Sequence, residues 1–241
     1  MNDLLIVIPT RLNSKRLKNK PLIKIGENTL IECVYQNIRS IKKYKIIVAT
    51  DSKKISKICK NNNIPTYMTK KHKTGSDRVA EVAQKKNFKW ILNLQGDEPL
   101  ISIFDVKNLI KNTINFEKNN NNFVASTLFV KKKFKNNIKS EVKLIINKKN
   151  EVLKFTRKKL LSSLKKKEYY KHIGIYLYKS KFLKKFPKLK HKKLEKKENL
   201  EQLRILENGY KVLAFKAKKD SIGVDTYKDL RKVRNYMHNK I

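Results

Sequence analysis

Apolar residues along this chain come in short unbroken runs, separated by stretches where they recur every three or four positions. Leu4-Leu5-Ile6-Val7-Ile8 is the first run, and its continuity marks a strand buried on both faces. Thr29 to Ile41 carries apolar residues at 30, 31, 34, 38 and 41, the spacing of an amphipathic helix. Lys45 to Ala49 predicts a second buried strand. Thr50-Asp51-Ser52 then supplies helix-start residues for a helix running to about Lys60. Ile64 to Met68 and Trp90 to Leu94 predict two more strands, with a helix from Gly75 to Lys85 between them and another from Phe104 to Phe116. Strand and helix alternate strictly, which implies crossover connections and an α/β fold with a mostly parallel central sheet flanked by helices.

Beyond Phe116 the pattern loosens. Glu117 to Asn122 reads as a polar loop, and Phe123 to Val130 and Val142 to Ile146 alternate like strands. Asn147-Lys148-Lys149-Asn150 has turn character, so Glu151 to Phe155 is expected to close a hairpin. Ile173 to Tyr178 and Lys211 to Phe215 predict strands; Ser180 to Phe186 and Leu200 to Glu207 predict helices. Thr226 to Met237 predicts a closing helix, with Thr226 and Asp229 spaced as a capping box. No Gly/Ser linker and no repeat divides the 241 residues. A single domain, 1–241, with a β-rich insertion is the expectation.

Composition changes this picture at one point. Lys and Arg number 60 against 20 Asp and Glu, a formal charge of +40. Such a balance suggests a polyanion partner. Only 8 of the 60 cations are Arg, however, and Arg is the side chain that grips phosphate bidentately and reads bases. The lysines are scattered, as at Lys42-Lys43, Lys53-Lys54 and Lys131 to Lys133, rather than set in one stripe. Lys, Asn and Ile are what A/T-rich codons favour, so mutational drift accounts for the excess and no specific nucleic acid is expected. The positive field still draws anionic substrates such as nucleotides and sugar acids. No apolar run approaches the ~18 residues of a membrane span, and Leu4 to Ile8, bounded by Asp3 and Pro9, is no signal peptide. Cys33 and Cys59 lack metal spacing and suit a reducing compartment. A cytoplasmic protein without membrane insertion is expected.

Six segments could carry chemistry. Pro9, Thr10, Arg11, Ser14, Arg16, Lys20 and Pro21 follow the first strand, where open α/β sheets bind ligands. Their cations and hydroxyls could surround a triphosphate, or could form an ordinary solvated basic loop. Without glycine the segment matches neither a Walker loop nor a dinucleotide fingerprint. Gln95-Gly96-Asp97-Glu98-Pro99 closes a central strand, and either Asp97 or Glu98 could ligate Mg²⁺ or cap a turn. Gly223-Val224-Asp225-Thr226 precedes the last helix, so Asp225 is either an N-cap or a second metal ligand. Among so few acids, two at such loop positions carry weight. Thr74-Gly75-Ser76-Asp77-Arg78 opens a helix whose free amides could hold an anion. His172-Ile173-Gly174-Ile175-Tyr176 sets His172, Gly174 and Tyr176 on one strand face and the isoleucines on the other. Glu201-Gln202-Leu203-Arg204 lies on an amphipathic helix, otherwise a solvated face.

Read in order, Ile8-Pro9-Thr10-Arg11, Ser14, Arg16, Lys20-Pro21-Leu22, Ala49-Thr50-Asp51, Thr74 to Arg78, Gln95 to Pro99, His172 to Tyr176, Leu200 to Arg204 and Val224-Asp225-Thr226 closely resemble the 3-deoxy-manno-octulosonate cytidylyltransferases (CMP-Kdo synthetases). The likeness spans Ile6 to about Val233. Gln-Gly-Asp-Glu-Pro with His-Ile-Gly-Ile-Tyr is specific, whereas the opening Arg/Lys segment is shared by sugar nucleotidylyltransferases at large. The resemblance implies a nucleotide-diphospho-sugar transferase (Rossmann-like) fold, usually a homodimer, acting on CTP and the sugar acid Kdo with Mg²⁺ to give CMP-Kdo and pyrophosphate. By motif position it implies that Arg11, Ser14, Arg16 and Lys20 hold the triphosphate, and that Ser76, Arg78 and Gln95 lie near the cytidine or ribose. It also implies that Asp97 and Asp225 ligate Mg²⁺, and that Arg157, His172, Tyr176, Glu201 and Gln202 form the sugar-acid pocket. Arg11, Lys20, Asp97 and Asp225 would be the catalytic group. Residues 1–116 would then be the nucleotide-binding half, and 117–241 the sugar-acid-binding and dimerisation half. Two departures stand out: Lys18-Asn19 replaces the common Pro-Gly, and Lys158 to Ser162 lacks the usual Ile-Pro. Asn tolerates a left-handed backbone, so the turn before Lys20 is expected to survive.

Overall fold

A computed structural model describes residues 3–14, 16–133, 141–158 and 168–239. Strand β1 (Leu4–Pro9) is buried along its whole length, because its side chains feed two separate cores. Leu4, Ile6 and Ile8 enter one and Leu5 and Val7 the other. A two-stranded ribbon, β2 (Lys24–Ile25) with β3 (Asn28–Thr29), leads into helix α1 (Leu30–Arg39). Glu32 and Thr29 close a capping box at its start. Strand β4 (Lys45–Thr50), helix α2 (Lys53–Asn61), strand β5 (Thr66–Met68), helix α3 (Gly75–Lys85), strand β6 (Trp90–Leu94) and helix α4 (Ile103–Asn119) follow. β1 pairs in parallel with β4 and β6, and β4 with β5. The alternation of the first half is therefore borne out.

The second half contributes β7 (Ala125–Lys133), the hairpin of β8 (Lys143–Ile146) and β9 (Val152–Thr156), and the long β10 (Glu168–Lys179). Short helices α5 (Ser180–Leu183), α6 (Lys193–Glu198) and α7 (Leu203–Glu207) come next, then β11 (Val212–Lys216) and α8 (Tyr227–His238). Among the described residues the main sheet has nine strands, seven of them in the order β11-β7-β10-β6-β1-β4-β5, with β8 paired to β10 and β9 to β8. β10 is antiparallel to both of its neighbours, β6 and β7, while β11 runs parallel to β7. One reversed strand thus joins two parallel blocks, so the carboxyl ends of β1, β4, β5, β6 and β11 share an edge.

Several boundaries differ from expectation, each for a local reason. Helix α4 continues to Asn119 through the stretch expected as loop, its last turn closed by Asn120 N–H on Phe116 O at 2.9 Å. Strand β5 begins only at Thr66, because Ile64 N–H is still bonded to Cys59 O at the end of α2. The helix expected from Leu200 starts at Leu203, and α6 before it has no apolar periodicity to announce it. Ser180 to Phe186 divides into α5 and a 3₁₀ turn at Phe186–Lys188, where Pro187 removes a donor. Asn150 takes φ 61° in the β8–β9 turn, as a tight hairpin asks. Cys33 and Cys59 are free and buried. Among the described residues, no helix is long and apolar enough to cross a membrane.

The scarce acids are mostly committed. Glu207 caps α6 through Leu194 and Glu195 N–H at 2.9 Å each, and Asp105 accepts Lys218 and Lys219 N–H at 2.8 and 3.1 Å. Asp220 pairs with Lys132 and Lys171 at 2.9 and 2.6 Å.

Candidate active site

The site forms where β1, β6 and the segment after β11 reach the same edge. After β1 the chain makes a 3₁₀ turn at Lys20–Leu22, entered through Asn19 at φ 53°, ψ 33°. That left-handed residue is the one expected to replace a glycine, and it aims Lys20 back at the sheet. Lys20 Nζ donates to Asp97 Oδ2 and, at 3.2 Å, to Asp225 Oδ1. Arg16 Nη2 reaches the same Asp225 oxygen at 2.9 Å. The two aspartates, 128 positions apart in sequence, thus converge on one ammonium. Lys20 is only 15% exposed. Burial alone would lower its pKa, but the charges and hydrogen bonds of Asp97 and Asp225 outweigh it and raise the pKa above the ordinary lysine value.

Backbone geometry fixes this convergence. Val224 N–H donates to Asp97 O at 2.8 Å, tying the two acidic segments together. A Cβ on Gly96 would stand 3.0 Å from Pro9 O and 3.2 Å from Thr10 Cβ, so glycine lets the β6 loop lie against the β1 loop without displacing it. Asp225 is not the cap of α8. Thr226 accepts Asp229 N–H at 3.2 Å and completes the capping box, which leaves the Asp225 carboxylate facing the cleft. Glu98 turns away from the pair: Ser221 Oγ donates to its Oε2. Burial, then the charge of Asp97, pushes the Glu98 carboxyl up to about 7. Arg11, Asn13, Ser14, Lys18 and Asn19 line an adjoining cavity of about 360 Å³. Arg11 Nη1 donates to Lys73 O at 3.4 Å, and Ser14 Oγ accepts Leu17 N–H at 3.4 Å.

The second group lies where α3 starts, against β10. Ser76 Oγ donates to Glu201 Oε1 at 2.7 Å and lies 3.4 Å from Tyr178 Oη. Glu201 is therefore no solvated helix residue, and burial raises its pKa. Arg204 is fully buried, donating to Glu195 and, at 3.1 Å, to Asp77. Gln202 is buried as well. Arg78, 2% exposed, pairs with Asp51 at 3.1 Å and bonds Thr69. Its guanidinium ties the ends of β4 and β5 together, so what α3 offers toward the cleft is its first turn. Gln95 bonds Asn93 Oδ1 at 3.3 Å, and a Cβ on Gly75 would come within 3.5 Å of its side-chain oxygen.

On β10 the expected alternation holds, with Ile173 and Ile175 in one core and Tyr176 in the other. A register shift against β7 interrupts the ladder between Ile173 and Tyr176. Thr127 fills it: its hydroxyl donates to Ile175 O at 2.7 Å and is hydrogen-bonded with His172 Nε2 at 3.0 Å. Burial, then nearby Lys171 and Arg157, lowers His172 to about 3, so a neutral imidazole stands beside the cleft. Burial also raises Tyr176 well above the ordinary tyrosine value. Tyr176 Oη, beside Thr127, and Asn93 Nδ2 are buried and meet no well-formed hydrogen-bond partner among the described residues. Arg157 N–H donates to Glu198 Oε2 at 3.1 Å; beyond Lys158, residues 159–162 lie outside the described residues. Asn93 and Thr127 were not singled out from the sequence, although a polar residue inside an apolar strand was a usable signal for each.

The family model described as Cytidylyltransferase matches residues 5–219. The chain belongs to the cytidylyltransferase family. A 3-deoxy-manno-octulosonate cytidylyltransferase of Francisella tularensis subsp. holarctica is 38% identical over 249 residues, covering 97% of this chain and 98% of the relative. One from Fusobacterium nucleatum subsp. nucleatum is 38% identical over 237 residues, covering 96% and 95%. The solved structure of a CMP:2-keto-3-deoxy-manno-octonic acid synthetase complexed with CTP superposes with a TM-score of 0.90 at 31% identity, covering 99% of each chain. This cytidylyltransferase is accordingly a nucleotidyltransferase of the Rossmann-like class. Its donor set suits a hard divalent ion. Among the described residues, no group of three or more His, Cys, Asp or Glu stands ready as a complete metal cage. Two carboxylates meeting on a single ammonium fit Mg²⁺, which binds through one or two carboxylates plus substrate phosphates.

Proposed function

We propose that this chain couples CTP to the sugar acid Kdo, giving CMP-Kdo and pyrophosphate for the lipopolysaccharide inner core. The observation that carries the reading is the meeting of Asp97, Asp225 and Lys20 at the mouth of the parallel sheet. The 38% identity to 3-deoxy-manno-octulosonate cytidylyltransferases over nearly the whole chain supports it. In this reading the anomeric 2-hydroxyl of Kdo attacks the α-phosphorus of CTP in line. A new O–P bond forms as the bond to pyrophosphate breaks. Such transfer asks a protein chiefly for positioning and charge neutralisation.

Arg11, Ser14, Arg16 and Lys20 hold the triphosphate and offset charge on the departing pyrophosphate. Asp97 and Asp225 hold Mg²⁺, which when bound supplies charge stabilisation and a more acidic sugar hydroxyl. Ser76, Arg78 and Gln95 serve the nucleoside end, with the first turn of α3 presenting its amides. His172, Tyr176, Glu201, Gln202 and Arg157 surround the sugar acid, and the neutral His172 donates or accepts without adding charge. Residues 1–116 serve the nucleotide and 117–241 the sugar acid, in a cytoplasmic homodimer. The deciding experiment is pyrophosphate release from CTP and Kdo with and without Mg²⁺, set beside a panel of other nonulosonic acids. Asp97→Asn is expected to lower turnover by about 10³-fold or more with an unchanged circular dichroism spectrum. Near-normal turnover in that variant refutes the metal role, and turnover with another sugar acid but not Kdo refutes the substrate.

A further inference from the structure

The ammonium of Lys20 occupies the place where a cation between Asp97 and Asp225 belongs. It donates to both carboxylates at once, and Arg16 adds a second positive group to Asp225 at 2.9 Å. The lysine does not drift into this position. The left-handed Asn19 and the 3₁₀ turn through buried Pro21 deliver its backbone there, and Lys20 N–H is anchored on Leu17 O at 3.2 Å. Two carboxylates and two cations make a locally neutral cluster. A divalent ion entering between the same oxygens meets an ammonium within a few ångströms, in a cleft where charge repulsion is weakly screened.

We propose that Lys20 is a built-in counter-ion that keeps the Asp97–Asp225 pair closed to divalent metal until a triphosphate arrives and draws the ammonium onto its own oxygens. This rests on the reading of the two aspartates as metal ligands and adds an order of events to it. Nucleotide comes first, and uncovering of the carboxylates follows. Nucleotide and carboxylate-held metal then favour each other's binding by the same factor. In the free enzyme the Asp97–Asp225 pair does not fill with divalent metal without substrate. Arg16, 59% exposed, follows the phosphate for the same reason.

The test is Mn²⁺ binding to the full chain without nucleotide, read by the loss of the free-ion electron paramagnetic resonance signal. Lys20→Met keeps the length of the side chain and removes its charge. It is expected to bind Mn²⁺ at least about 10-fold more tightly than the unaltered chain, and adding Asp97→Asn to it is expected to abolish the gain. Lys20→Arg, which restores the charge, is expected to return binding to the weak level, and it serves as the check that loss of charge rather than altered folding is responsible. Equal or weaker Mn²⁺ binding by Lys20→Met overturns the proposal. If Asp97→Asn still weakens Mn²⁺ binding in the presence of CTP, the aspartates remain metal ligands and only the counter-ion role falls. If Asp97→Asn changes nothing under either condition, both fall together.

Discussion

Gly96→Ala is the sharpest probe of how the cleft is assembled. The added Cβ would stand 3.0 Å from Pro9 O, 3.2 Å from Thr10 Cβ and 3.3 Å from Thr10 Oγ1. Neither neighbour yields easily. Pro9 ends a buried strand, and Thr10 is 6% exposed with its N–H bonded to Ala49 O at 2.9 Å. The β6 loop must therefore withdraw by several tenths of an ångström, and Asp97, the next residue, goes with it. Overpacking of this kind costs about 1–3 kcal/mol, which for a chain of this size is roughly 2–12 °C in Tm. Displacement of a catalytic group by ~1 Å can cost about 10²-fold in rate. The control is Gly26→Ala. Gly26 sits at φ +63° with nothing within 4 Å of a new Cβ, so that substitution costs about 1–2 kcal/mol through backbone strain alone. Paired measurements of urea unfolding and pyrophosphate release separate the effects. Gly96→Ala is expected to lose far more activity than Gly26→Ala at similar stability. Equal activity in the two variants would show that the close approach at Gly96 does not position Asp97.

Three further outcomes follow from the same geometry. His172 has a folded pKa of about 3 against an ordinary 6.5, so the unfolded chain takes up the proton first. The stability it contributes is complete above about pH 6.5 and is lost as pH falls toward 3. Between pH 7 and pH 5 that loss is about 2 kcal/mol, measurable by urea titration and absent in His172→Phe; an identical slope in both proteins would refute it. Arg204→Met strands Glu195 and Asp77 without their buried cation, at about 3–5 kcal/mol. The double change with Glu195→Met is expected to recover part of this, which a double-mutant cycle detects. Asn19→Gly is expected to stay within about 1 kcal/mol of the parent and active, whereas Asn19→Val costs about 1–2 kcal/mol or more and raises KM for CTP by misdirecting Lys20.

The parallel half of the fold was legible because burial on both faces leaves little choice of residue. Leu4 to Ile8 and Trp90 to Leu94 could be read as strands without any neighbour in view. The reversal of β10 was not, since antiparallel insertion is decided by which edges are free, not by the strand's own residues. Asp97 and Asp225 were visible as acids at strand-end loops, but their bland alternatives were equally compatible with the sequence. Thr226 taking over the helix cap removes capping as the role of Asp225. Arg204 looked like part of a wet helix face because its partners, Glu195 and Asp77, come from separate segments that only the fold brings together. Asn19 is the opposite case: its tolerance of left-handed backbone is a property of one residue, and it was readable directly.

The deployment of carboxylates has a meaning beyond the individual contacts. With 20 Asp and Glu against 60 Lys and Arg, each carboxylate sits in a strongly positive field. Several of the 20 stand at structurally demanding positions. Helix starts such as Asp229, the buried anchor of Arg204 and the pair in the cleft all fall in that set. In so basic a chain, losing one of these carboxylates leaves the cations around it with few substitute counter-charges.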